Sequence, residues 1–396
     1  MSTHAPGSSW LTWACASLHM PMRKVLIIAG PLSGYSLDLY RAVAQTLACA
    51  VDIVHEPLPK STGFAHEQVS FGGFNTLDWT TATSWELLGF VRAALPDAVI
   101  IHGTRPARAV AIALAVVPRK TPVLFVSDTN IYDLVSDRAK LLPRLAAYQA
   151  LFTRVDIALS LGTTNELALR LLGARRIELL PAYAIDFEAL DRARAQAPAV
   201  SPGESRRIVI VARLVEVKNL ASAVDAFSAD SALRAQVTLS FVGDGPLRSE
   251  LEARAHQRHV RAEFLGAVPR SQVGAAIGHS DALLLPSTRE PWGIVVCEAL
   301  GLGVPVIASP AVGAAVSLAG STGAVVVADS PSAPDLATAM RDFVERSDAL
   351  TDAAKRSAAR IRQLYALPNV AMRLATLLRG LTACEREMPG RPGPSS

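Results

Sequence analysis

Two carboxylates, Glu290 and Glu298, flank the start of a short apolar run, Ile294-Val295-Val296-Cys297-Glu298-Ala299-Leu300. Glu298 is the only charged residue of that run. Desolvating a carboxylate is costly, so it is rarely buried without a partner. Glu298 is therefore expected either to meet a protein cation or to face a cleft where a ligand supplies hydroxyl groups. The run reads as a helix from about Gly293, stopped by glycines and followed by a buried strand. Its start offers free backbone N–H groups and the positive end of a dipole, a seat for phosphate. Glu290 in the preceding loop has a plainer reading, an acid that complements the dipole.

Cations and glycines sit at other expected strand ends. Arg213 ends the strand Ile208–Ala212, and Lys218 opens the helix after it. Such a pair suits a diphosphate, through a forked guanidinium and a mobile ammonium, or it is simply two solvated loop charges. Gly243-Asp244-Gly245-Pro246 follows the strand Val237–Val242, where glycines permit a tight turn and close approach of a ligand to the backbone. A dinucleotide site, with Glu263 as its ribose acid, is the competing reading, but Arg248 stands where the third glycine belongs.

The string PS-x2-EPWG-x3-CEALGLGVPVIAS, from Pro286 to Ser309, resembles the donor-site signature of glycosyltransferase family 4, retaining enzymes of the GT-B fold. VARLVEVKNLASAVDAF resembles a second segment of that family, with Ala212 where Gly is usual, and GDGP-L resembles its turn beside the nucleotide. The resemblance implies a nucleotide-sugar donor held by Arg213, Lys218, Gly243, Gly245, Glu298 and the backbone of Gly293, Ile294 and Val295. Glu298 takes the ribose hydroxyls in that scheme, and Glu290 faces the transferred sugar. Gly34, in Gly30-Pro31-Leu32-Ser33-Gly34, occupies the place of the family's Gly-rich loop but lacks the adjacent Gly-Gly. Asp128 stands where many relatives carry His, so either it acts on a sugar hydroxyl or the acceptor, or it caps the next helix. His102 is a weaker candidate, with a satisfied buried imidazole as the plainer reading. Tyr183 and Asp186 are expected to be structural.

These residues need elements to position them. From Arg23 onward short apolar strands alternate with amphipathic helices, which predicts parallel sheets covered on both faces. Strands are expected over Val25–Ala29, Val51–His55, Ala98–His102, Val123–Ser127, Ile157–Ser160 and Ile177–Leu180. In the second half they are expected over Ile208–Ala212, Val237–Val242, Glu263–Leu265, Ala282–Leu285, Val304–Ala308 and Ala324–Val327. Glu56–Thr83 breaks the rhythm and is expected to be a long loop. The fold class is α/β, and the resemblance makes it GT-B: two doubly wound Rossmann-like domains facing a central cleft. The expected boundaries are a disordered extension 1–22, an acceptor-side domain 23–190, a linker 191–205 and a donor-binding domain 206–350. C-terminal helices 351–384, partly returning to the first domain, and a disordered tail 385–396 complete the chain.

At 396 residues there is room for two domains, and with half the chain hydrophobic both can hold a core. The formal charge of +4 comes with no basic run interleaved with aromatics, which argues against a nucleic-acid partner. The four cysteines lack metal-ligand spacing and fit buried thiols in a reducing cytoplasm. No Asp-x-Asp occurs, so metal-independent transfer is expected, with no cofactor beyond the nucleotide-sugar substrate. The expected acceptor is a glycan, a lipid-linked sugar or a small molecule. Arg138–Arg154, basic with an apolar face, suggests peripheral contact with the inner face of the membrane. Two other functions stay open: a sugar-nucleotide epimerase of the same architecture, and a non-catalytic nucleotide-sugar binder.

Overall fold

The computed structural model describes residues 22–57, 70–131, 134, 141–181, 183–197 and 205–387. It contains two parallel sheets. The first has the order β3-β2-β1-β4-β5-β6-β7 and is built from β1 Lys24–Pro31, β2 Ala50–Glu56, β3 Asn75–Asp78, β4 Ala98–His102, β5 Val123–Val126, β6 Ile157–Ser160 and β7 Ile177–Leu179. The second repeats the pattern as β10-β9-β8-β11-β12-β13, from β8 Arg206–Val211, β9 Val237–Val242, β10 Ala262–Gly266, β11 Ala282–Leu285, β12 Val306–Ala308 and β13 Val325–Val327. In each sheet the order reverses beside the first strand, which opens a crevice at the carboxyl ends of the strands.

The central strands are buried on both faces: Val25 to Ala29, Val123 to Val126 and Ala282 to Leu285 are nearly inaccessible. Runs of Val, Ile and Leu suit such positions, and each such side chain contributes about 1.5–3 kcal/mol when fully buried. One buried cluster joins the two halves, running from Ile27, Leu39 and Val43 to Leu283, Val296 and Leu300 and on to Leu374 and Leu378. The last two belong to the helix Leu367–Glu387, which packs on the helix Gly34–Leu47; there Arg379 Nη2 donates to Thr46 O at 2.9 Å. This helix thus packs back against the first half.

Several expectations need correction. β3 lies inside the Glu56–Thr83 stretch expected as loop, paired in parallel with β2; residues 58–69 of that stretch lie outside the described residues. Asn75-Thr76-Leu77-Asp78 is too short and polar to signal a strand, and pairing at the sheet edge makes it one. The helix Phe187–Gln196, capped by Asp186 Oδ1 accepting from Ala189 N at 2.9 Å, runs into the stretch expected as linker. Residues 198–204 of the linker lie outside the described residues. Met22, assigned to the extension, is buried, while residues 1–21 lie outside the described residues. The last helix continues through Glu387, past the expected start of the tail at 385, and residues 388–396 lie outside the described residues. Two helices without a strong apolar period, Ser231–Gln236 and Gly313–Thr322, also form. Asp230 starts the first of them by accepting from Ala232 N and Leu233 N.

Candidate functional site

The candidate residues collect at the carboxyl ends of the two sheets. In the second half, Lys218 Nζ and Glu290 Oε2 form an ion pair, both side chains largely buried. The two are 72 residues apart in the chain. Lys218 closes the 3-10 turn Glu216–Lys218 after β8. Glu290 is held by its backbone: its N donates to Ala311 O at 3.2 Å, and its O accepts from Gly313 N at 3.1 Å. Ser287 Oγ lies 3.5 Å from the same carboxylate oxygen. Glu290 thus has a cation of its own, rather than the helix dipole alone.

Next to this pair begins the helix Ile294–Gly301. Gly293 caps it at φ 86°, and no side chain accepts from its first N–H groups. A Cβ on Gly293 would stand 3.1 Å from Glu290 Cγ, so the loop and helix start are in contact. Arg213, beyond β8, is partly exposed and makes no side-chain hydrogen bond or ion pair among the described residues.

Glu298 sits on the buried face of that helix with 2% exposure. Its Oε1 accepts from Tyr35 Oη at 2.6 Å. Tyr35 belongs to the first half, one residue after Gly34, at the start of the helix Gly34–Leu47. That helix is capped by Ser33, and Gly34 lies inside its first turn. Arg270, at the start of the helix Arg270–Gly278 beyond β10, stacks its guanidinium 3.5 Å from the centroid of the Tyr35 ring. It also pairs with Asp38 Oδ2 at 2.9 Å. Charge from Tyr35, Asp38 and Glu298 raises the Arg270 pKa against the opposing effect of burial, which is the largest single influence. A protein hydroxyl from the opposite half thus lies beside Glu298 Oε1.

Across the crevice, Asp128 follows β5 and accepts from Tyr183 Oη at 3.4 Å. The Tyr183 hydroxyl is pushed far above its usual pKa by burial first, then by Asp128, Tyr40 and, more weakly, Glu290. His102 stands beside it, ring centroids 6.1 Å apart, and shares a 2.8 Å hydrogen bond between Nδ1 and Tyr40 Oη. Burial lowers the His102 pKa to about 4, so the imidazole is neutral near pH 7. His102 is thus a satisfied, uncharged side chain under the site. Tyr183, expected to be structural, faces Asp128 instead. Asn130 Nδ2 donates to Pro291 O at 3.2 Å and ties the loop after β5 to the loop carrying Glu290.

A Cβ on Gly243 would lie 1.9 Å from Ala212 O, and one on Gly245 would lie 2.4 Å from Leu214 O. These glycines let the turn after β9 press on the segment carrying Arg213, whose backbone fills the space a side chain would take. Leu214 N donates to Asp244 O at 3.0 Å and locks the two together. The dinucleotide reading also fails at Glu263, whose carboxylate is taken by Arg207 at 2.7 Å and by Ser240. Tyr35, Asp38 and Arg270 were absent from the sequence reading. Tyr35 and Glu298 are 263 residues apart, and no local pattern joins them.

Residues 191–360 match the model of the family described as Glycosyl transferases group 1. This part of the chain is a glycosyl transferases group 1 domain. It contains Arg213, Lys218, Glu290 and Glu298. Among curated proteins, the chain is 29% identical over 154 residues to 2-deoxystreptamine glucosyltransferase of Streptomyces kanamyceticus, covering 37% of this chain and 40% of that one. It is 37% identical over 106 residues to the putative teichuronic acid biosynthesis glycosyltransferase TuaC of Bacillus subtilis, covering 27% and 25%. The matched segments span less than half the length of these relatives. Among solved structures, HepE of Anabaena in complex with UDP superposes with a TM-score of 0.70 at 17% identity, over 91% of this chain and 100% of that one. Sucrose-phosphate synthase of Thermosynechococcus elongatus does so with a TM-score of 0.67 at 18% identity, over 91% and 100%. The fold is GT-B, two Rossmann-like domains.

Proposed function

We propose that the chain is a retaining, metal-independent glycosyltransferase that takes a nucleotide-sugar donor in the crevice between its two sheets. The observation that carries this reading is the grouping of the Lys218–Glu290 pair and buried Glu298 at one helix start, inside the matched domain that also holds Arg213. Glu298 takes the ribose hydroxyls. Arg213, Lys218 and the N–H groups of Gly293, Ile294 and Val295 receive the diphosphate. Lys218 lies against Glu290 without donor, so a bound diphosphate shares the ammonium with that carboxylate. Arg213 brings the one cation of the two that no protein acid already offsets.

Retention follows from a front-face step. The acceptor oxygen bonds to the anomeric carbon on the face from which the phosphate oxygen leaves, and that oxygen takes the acceptor proton as its own bond breaks. Positioning and charge stabilisation of the leaving group then supply most of the rate. Glu290 faces the transferred sugar, and Asp128, across the crevice, orients the acceptor or a sugar hydroxyl. HepE is described with UDP and with UDP-glucose, which makes UDP-sugars the first donors to test. The acceptor is a glycan or lipid-linked hydroxyl.

A cytoplasmic placement with contact at the membrane surface belongs to the same reading. The helix Leu141–Phe152 exposes Leu142, while Arg138 and Lys140 lie outside the described residues. Among the described residues no helix is long and apolar enough to cross a membrane.

The test is transfer from a panel of UDP-, GDP- and ADP-sugars to a mixed acceptor pool. Glu298→Gln and Lys218→Ala should each lower transfer by about 10²–10³, the loss of one transition-state contact. Folded variants with full activity would remove these residues from the donor site.

A further inference from the structure

Resting on the donor-site reading of Glu298, we propose that Tyr35, Arg270 and Asp38 form a cross-domain latch, and that the nucleotide competes with Tyr35 for its ribose-binding carboxylate. The Tyr35 hydroxyl donates to Glu298 Oε1 at 2.6 Å, a length typical of a hydrogen bond to an ionised acceptor. A ribose hydroxyl would make the same bond to the same oxygen. A carboxylate offers about four acceptor positions over its two oxygens, so the two hydroxyls compete for Oε1, and a vicinal diol that spans both oxygens binds best once Tyr35 has left. Tyr35 is carried by the first domain and Glu298 by the second, so this bond also spans the crevice the donor must enter.

The contact is built and not incidental, because two further interactions join the same elements. The Arg270 guanidinium lies 3.5 Å from the Tyr35 ring centroid, and its Nη1 is 2.9 Å from Asp38 Oδ2. Tyr35 and Asp38 sit three residues apart on one helix and so share a face. Arg270 answers both from the other domain and is itself mostly buried. A ring face and a carboxylate therefore clamp one cation beside Glu298. The free protein divides between latched and open forms, and only the open form offers Glu298 Oε1 to a ribose without competition from Tyr35. Apparent donor affinity falls by the open fraction.

Titration calorimetry with UDP, GDP and ADP on wild type and variants tests this. Tyr35→Phe keeps the ring on Arg270 but deletes the competing hydroxyl, and should tighten the nucleotide that binds by about tenfold. Asp38→Asn, which weakens the clamp without touching Glu298, should tighten it by less. In a Glu298→Gln background the gain from Tyr35→Phe should vanish, because there is no carboxylate left to compete for. Inorganic pyrophosphate, which has no ribose, should gain less than the nucleoside diphosphate from Tyr35→Phe. Unchanged or weaker nucleotide binding by Tyr35→Phe overturns the latch while leaving the donor site intact. If no nucleoside diphosphate binds wild type or any variant, the donor-site reading falls with it.

Discussion

Gly243→Ala is the sharpest test of how the cation-bearing loop is built. The residue has φ +139°, in the range L side chains rarely adopt, and its added Cβ would stand 1.9 Å from Ala212 O. Approaches under 3.0 Å are essentially never seen, so the two segments must part by about 1.1 Å. Three backbone bonds lie in the strained region: Ala212 N to Val242 O at 3.1 Å, Gly243 N to Gly266 O at 2.7 Å and Leu214 N to Asp244 O at 3.0 Å. A sparsely populated backbone conformation costs about 1–3 kcal/mol. A buried amide left without its acceptor costs about 1–3 kcal/mol more. The expected loss is about 2–6 kcal/mol, a large part of the roughly 5–15 kcal/mol that holds a typical domain. Guanidinium unfolding followed by far-UV circular dichroism measures it, with nucleotide binding assayed on the folded fraction. A stability loss under about 1 kcal/mol together with weakened nucleotide binding would refute the packing role and return this glycine to the ligand.

Two other outcomes are expected. His102 has a folded pKa of about 4 against an ordinary 6.5. The unfolded chain therefore binds the extra proton between those values, and stability is full above pH 6.5 and falls as pH drops toward 4, by at most about 1.4 kcal/mol per pH unit from this group. Unfolding midpoints at pH 7 and pH 5, for wild type and His102→Gln, should show the variant losing less on acidification. Excess chelator added to purified enzyme with donor and acceptor should leave turnover unchanged; activity abolished by chelator and restored by magnesium or manganese would overturn the metal-independent step.

Much of the molecule was legible in the chain order. Strands with continuous Val, Ile and Leu runs, such as Ala98–His102 and Ile157–Ser160, form over the residues expected. Burial on both faces writes itself into composition, and such runs have few other stable fates. The short strand β3 and the helix Gly313–Thr322 carry weak signals because tertiary pairing, not local preference, makes them. The candidate site divides in the same way. Glu298 stood out as a lone charge in an apolar run, while Glu290, Arg213 and Lys218 stood out at expected strand ends and loops within strings that resemble the family's.

What the tertiary structure alone decided is which of these meet, and what else meets them. It pairs Lys218 with Glu290 and, among the described residues, gives Arg213 no protein acid. It gives the space beside Gly243 to Ala212 O. It brings Tyr35 from the opposite domain to Glu298 and sets Arg270 over its ring. A one-dimensional pattern records the cost of burying a residue, because that cost belongs to the residue itself. It does not record the partner that offsets the cost, because the partner arrives only when two sheets pack and the last helix folds back across them.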